Sequence, residues 1–127
     1  MPTILVVDDE PAIRALVRAA LSEHGYRVLE AADGAQALRL ALSERPDLVL
    51  QDIALPGLSG LEVSRRLRED PAAALTPILL LTGLAPETWP VEGRFDAQGL
   101  VQKPFSPADL VSQIRSVLLR QAAAPSR

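Results

Sequence analysis

Asp52 stands at the tip of an apolar run, Asp47-Leu48-Val49-Leu50-Gln51-Asp52, and the turn Leu55-Pro56-Gly57 follows it. A strand that ends in a carboxylate beside a Pro/Gly turn presents that carboxylate at the edge of a sheet. Asp also favours turns for hydrogen-bonding reasons of its own, so this position alone does not separate a functional acid from a turn former. Two more acids, Asp8 and Asp9, close the run Thr3-Ile4-Leu5-Val6-Val7. Thr82 closes Pro77-Ile78-Leu79-Leu80-Leu81, and Lys103 follows Leu100-Val101-Gln102. Three carboxylates gathered at one edge repel, by roughly 4 kcal/mol per pair at about 4 Å and an effective dielectric near 20. Protonation, a cation, or both must offset that. Oxygen-only ligands select a hard divalent ion, and Mg²⁺ suits a few carboxylates plus water and phosphate. Lys103 supplies a point charge for a phosphate oxygen, and Thr82 a hydroxyl. A carboxylate nucleophile, a metal and a lysine together suit phosphoryl transfer onto aspartate.

The elements that must position these groups are legible as alternating runs. The run from Thr3 to Val7 is β-branched and aliphatic, as in a strand covered on both faces. Pro11 suits a first helical turn, with Asp9 or Glu10 as cap, and Ile13, Leu16, Val17, Ala20 and Leu21 recur at helical spacing up to Gly25. Arg27 to Ala31 reads as a second strand, and Ala35, Leu38, Ala41 and Leu42 mark a second helix before Pro46. The Asp52 strand is third. A helix over Gly60 to Glu69 follows, its arginines forming a solvated face. Pro77 to Leu81 is the fourth strand. Between Leu84 and Gly99 the residues Pro86, Pro90 and Gly93 leave room for a shortened or irregular fourth helix, since an interior proline costs about 3 kcal/mol or more. This segment is expected to be the most mobile outside the termini. Leu100 to Gln102 is a minimal fifth strand. Ser106 and Pro107 open a last helix whose buried stripe is Leu110, Ile114, Val117 and Leu118. Strand–helix alternation predicts an α/β fold, a doubly wound parallel sheet of five strands with right-handed crossovers. In the flavodoxin-like order 2-1-3-4-5 the switch point lies between strands one and three, where Asp8 and Asp9 face Asp52.

Composition narrows the function classes. A chain of 127 residues makes one domain, expected over 1–120, with a flexible tail over 121–127. A net charge of −3 and no basic cluster argue against nucleic acid or an anionic membrane as partner. The chain has no cysteine, so disulfides and thiolate metal sites are excluded, and its single His24 leaves no histidine-based metal site or triad. His24 reads as a helix-dipole partner and Trp89 as a loop residue. No membrane-spanning run or signal peptide is seen, so a cytoplasmic location is expected.

Five motifs in order at strand ends, over Thr3 to about Leu119, resemble a response-regulator receiver domain of two-component signalling. The resemblance assigns Asp8 and Asp9 to the acidic pair that holds Mg²⁺ with Asp52, Asp52 to the phosphoacceptor, Thr82 to the switch hydroxyl and Lys103 to the family's lysine. It implies a cis bond before Pro104. It implies a phosphohistidine donor, on a sensor histidine kinase or a histidine phosphotransfer protein, and a downstream protein that reads the signal. The chain is then a phosphoacceptor with weak self-dephosphorylation rather than an enzyme. With no effector run after the last helix, a stand-alone regulator is expected, its oligomeric state open.

Two positions depart from the family pattern. Leu100 stands where an aromatic is usual, three residues before the lysine, and the fourth-helix region is atypical. Ala54 and Leu84, two residues past the acceptor and the switch hydroxyl, offer no polar group to orient an attacking water, so slow loss of the phosphoryl group is expected. One competing reading is a receiver-like module that docks a partner without phosphorylation. Another is an aspartate-nucleophile phosphohydrolase, but that chemistry usually places Asp-x-Asp after the first strand, where this chain has Asp8-Asp9-Glu10. The same three acids would repel a flavin phosphate.

Overall fold

The computed structural model describes residues 1–55, 57–83 and 98–123. Its elements run β1 (Thr3–Val7), α1 (Pro11–Ser22), β2 (Arg27–Ala31), α2 (Gly34–Glu44), β3 (Leu48–Asp52), α3 (Gly60–Glu69), β4 (Ile78–Thr82), β5 (Gly99–Gln102) and α4 (Pro107–Ala123). The strands form one parallel sheet in the order β2-β1-β3-β4-β5. This is the flavodoxin-like, doubly wound fold anticipated from the alternating runs. The predicted shortened fourth helix, with Leu84, Pro86, Trp89, Pro90 and Gly93, lies outside the described residues.

The strand runs are continuously apolar because each strand buries both faces. Ile4, Val6, Leu48, Leu50, Leu79 and Leu81 pack toward α1 and α4, against Val17, Leu21, Leu110 and Ile114. Leu5, Val7, Val49, Ile78 and Leu80 pack toward α2 and α3, against Ala37, Ala41, Val63 and Leu67. Two of the leucines expected in the helical stripes lie at the margin instead: Leu16 is 42% and Leu42 37% exposed. Each sits about 100° around its helix from a buried neighbour, Val17 or Ala41, which takes the inward place.

Side-chain capping holds for three helices, of which only the Ser106 cap is expected from the sequence. Asp33 Oδ1 accepts from Gln36 N at 2.8 Å, Ser59 Oγ from Glu62 N at 3.2 Å and Ser106 Oγ from Asp109 N at 3.1 Å. It does not for α1. Glu10 holds the N-cap position with Pro11 after it, yet neither Glu10 nor Asp9 caps through its side chain. The Glu10 N–H instead donates to Asp8 Oδ1 at 2.9 Å. Of the tail expected over 121–127, residues 121–123 are helical, since α4 continues through Ala123. Its last residues are good helix formers, and Gln121 Nε2 donates to Leu75 O at 3.3 Å. His24 Nδ1 lies 3.0 Å from Ala20 O, as suits a histidine at a helix end.

An ionic cluster ties α1 to the outer strand β2. Glu30 receives Arg14 Nε at 2.9 Å and Arg18 Nε at 2.6 Å. The Arg18 hydrogen bond, opposed by burial and helped by Arg14, holds the Glu30 carboxyl below its usual value. A lowered carboxyl contributes stability above its unfolded value and loses it as pH falls through the folded one. Wild type is therefore expected to exceed Glu30→Gln in stability at neutral pH, the gap closing as pH drops below the ordinary 4.5. Denaturant titrations of both proteins across that window check this. A gap that stays constant into acid would contradict it.

Candidate functional site

The carboxyl ends of β1, β3, β4 and β5 place Asp8, Asp52, Thr82 and Lys103 at one edge of the sheet, at the switch point between β1 and β3. Asp8 continues the β1–β2 ladder by one bond, its N–H donating to Ala31 O at 3.1 Å, and is fully buried. Asp52 ends β3 and Thr82 ends β4, and both are buried. Lys103 N donates to Thr82 O at 2.6 Å, which carries the lysine past β5, and the Lys103–Pro104 bond is cis, as the resemblance implies.

The Lys103 ammonium is the centre of the cluster. Its Nζ lies 2.8 Å from Asp8 Oδ2, 3.4 Å from Asp52 Oδ2 and 3.5 Å from Glu10 Oε1. Asp52 Oδ1 turns the other way and accepts from Ala54 N at 3.1 Å. Behind it, buried Gln51 donates Nε2 to the Asp52 carbonyl at 3.2 Å. Burial, then the charge of Asp8, pushes the Asp52 carboxyl above its usual value, while Lys103 and the Ala54 N–H pull it back. Burial alone would lower the Lys103 ammonium, but its hydrogen bond to Asp8 and the charges of Asp52 and Asp8 outweigh that and raise it.

The structure brings Asp8, Asp52 and Lys103 into direct contact. Asp9 lies on the exposed side, where ligand atoms of Asp8, Asp9 and Glu10 converge within 4.8 Å of one another. Glu10 therefore joins the expected acids, a role hidden in sequence behind its place next to Pro11. Asp52 faces this triple across the lysine. The residues fit a hard divalent cation by the chemistry of the donor set: all are carboxylate oxygens, and the buried Asp8 Oδ2 is held by the Lys103 ammonium at 2.8 Å, a contact a cation can replace. A divalent cation there would share Asp8 Oδ2 with the ammonium or displace it. Leu84, expected to border the site, lies outside the described residues.

Residues 4–115 match the family model of the response regulator receiver domain. The chain belongs to this family. Over 119 residues this receiver domain is 42% identical to the phosphate regulon transcriptional regulatory protein PhoB of Pseudomonas aeruginosa, covering 93% of the chain and 52% of PhoB. It spans about half the length of that protein and of other transcriptional regulators it matches. Protein PilH of the same organism is 38% identical over 119 residues, 93% of the chain and 98% of PilH. Among solved structures, the receiver domain of sensor histidine kinase PA1611 from P. aeruginosa superposes with a TM-score of 0.85 at 33% identity, covering 92% of this chain and 97% of that one. That structure carries a magnesium ion coordinated in its active-site cleft.

Proposed function

We propose that this receiver domain accepts a phosphoryl group on Asp52 from the phosphohistidine of a sensor kinase or histidine phosphotransfer protein, in a Mg²⁺-dependent step, and signals through altered contacts with a downstream protein. The observation that carries the reading is the buried Asp52 carboxylate, paired to a Lys103 that also holds the buried Asp8 carboxylate. A carboxylate oxygen of Asp52 forms the new bond to phosphorus as the phosphorus–nitrogen bond breaks, its electron pair returning to the imidazole. Asp8 and Asp9, with Asp52 and now Glu10, are the residues that would hold Mg²⁺. Bound there, the ion neutralises phosphoryl charge. Lys103, already shared among three carboxylates, turns to a phosphoryl oxygen, and the Thr82 hydroxyl lies at the strand end that reads the new group. The chain acts as a phosphoacceptor rather than a turnover enzyme. A cytoplasmic setting suits such donors, and among the described residues no helix is long and apolar enough to cross a membrane. The net charge of −3 favours proteins over nucleic acid as the contacts of this domain.

Incubation with acetyl phosphate, with and without Mg²⁺, followed by intact-mass measurement, tests this. One added phosphoryl group, dependent on Mg²⁺, is expected. No mass gain would favour a receiver-like module that docks its partner unphosphorylated.

Asp9→Asn is expected to weaken Mg²⁺ by on the order of tenfold or more and to slow phosphorylation with it, as loss of a ligand exceeds loss of an outer partner. Asp9 is exposed, so the fold should persist. Calorimetric titration with Mg²⁺ decides, and an unchanged affinity removes Asp9 from the ligand set.

The phosphoryl group is expected to be long-lived. Ala54 gives its N–H to Asp52 but has no polar side chain to orient water. The decay of the phosphorylated protein is to be timed beside an Ala54→Asn, Leu84→Glu double mutant, in which loss should be faster. Equal decay would remove these two positions as the timer.

A further inference from the structure

We infer that Arg14, fixed by Glu30, is the positioning residue that shapes the three-acid loop for Mg²⁺; this rests on the metal-site reading above. Arg14 grips that loop at both ends. Its backbone N–H donates to Glu10 O at 3.2 Å, and its Nη1 donates to Asp8 O at 2.7 Å. Asp8 O lies just past the end of β1, so no strand partner fixes this peptide as the ladder fixes those before it. The guanidinium takes the place of that partner. Glu30 on β2 then holds Arg14 Nε at 2.9 Å, and the Arg14 side chain is only 18% exposed. One planar fork thus joins β2, α1 and the end of β1, a geometry a lysine cannot reproduce. The loop it closes is the one whose carboxylate oxygens converge within 4.8 Å and whose buried Asp8 Oδ2 pairs with Lys103 at 2.8 Å.

Geometry and charge make opposite forecasts here, which gives the inference its test. Arg14 is a cation beside a cation site, so by Coulomb's law alone its removal should tighten Mg²⁺. If Arg14 acts by holding the loop, removal should loosen it, and partners of this kind typically carry about 10- to 100-fold in metal affinity. Mg²⁺ is titrated calorimetrically into wild type, Arg14→Met, Arg14→Lys and Glu30→Gln, each checked for a folded circular-dichroism spectrum. Arg14→Met is expected to bind about tenfold or more weakly, Arg14→Lys to recover only part of the loss, and Glu30→Gln to weaken in the same direction. Unchanged or tighter binding by Arg14→Met overturns the inference. Should Arg14→Met not fold, Arg14→Lys decides in the same way, because it keeps the charge and loses the fork: wild-type affinity there overturns it. If wild type itself binds no Mg²⁺, the metal-site reading fails first and takes this inference with it.

Discussion

Asp52→Asn is expected to gain no phosphoryl group from acetyl phosphate under conditions that fully modify wild type. The amide keeps the shape of the carboxylate and can still approach Lys103, so the fold should survive. What it lacks is a nucleophilic anion, and nothing else in the cluster substitutes for one at the same place. Asp8 is buried against Lys103, while Asp9 and Glu10 are exposed. The substitution also removes a carboxylate that burial and Asp8 hold above its usual value, a group that costs stability once ionised. The unphosphorylated mutant should therefore be at least as stable as wild type above that window. A mutant that gains a phosphoryl mass at the wild-type rate would contradict the assignment.

Gly60→Ala is expected to be the most damaging single-methyl change near the site. A β-carbon there would stand 2.0 Å from Asp52 O and 2.7 Å from Ile53 Cα, both backbone, so no side chain can swing away to admit it. The first turn of α3 lies against the end of β3 at this point, and Gly60 N donates to Ile53 O at 2.8 Å. Alanine gains at most about 1 kcal/mol over glycine from helix propensity. Forcing α3 off the strand costs about 1–3 kcal/mol, and a clash with rigid backbone falls at the upper end, so the clash decides the sign. Thermal unfolding should show a midpoint lower by several degrees, and phosphorylation should slow as the Asp52 backbone shifts. Gly83→Ala is the control: a β-carbon there meets nothing within 4 Å, and stability should stay within about 0.5 kcal/mol of wild type. Wild-type stability in Gly60→Ala would mean that α3 is not seated on β3 as described.

Both features are partly legible in the sequence. Asp52 is legible as a functional acid only together with Asp8, Asp9, Thr82 and Lys103 at the ends of the other runs, since an acid beside a Pro/Gly turn can equally be a turn former. The strands were legible because burial on both faces demands unbroken aliphatic runs, which leaves their order to the crossover rule. Gly60 was visible as a residue of the turn region, but its contact with the Asp52 carbonyl depends on how closely two elements approach, which no local pattern encodes. Leu16 and Leu42 show the same limit, since a helical stripe is wider in sequence than the groove it fills. Glu10 was read as a cap because it precedes Pro11, while its carboxylate joins Asp8 and Asp9. Arg14 gave no signal at all. An arginine on an amphipathic helix reads as solvated until β2 is placed beside it with Glu30 facing inward.

The central claim is that the phosphoryl group sits on Asp52, and the location of the modified residue tests it most directly. The protein is phosphorylated with acetyl phosphate and Mg²⁺, then reduced with borohydride, which converts a phosphorylated aspartate to homoserine. Peptide sequencing by mass spectrometry then finds the altered position. The account predicts homoserine at position 52 alone. Homoserine at position 8 or 9, with Asp52 intact, would contradict it.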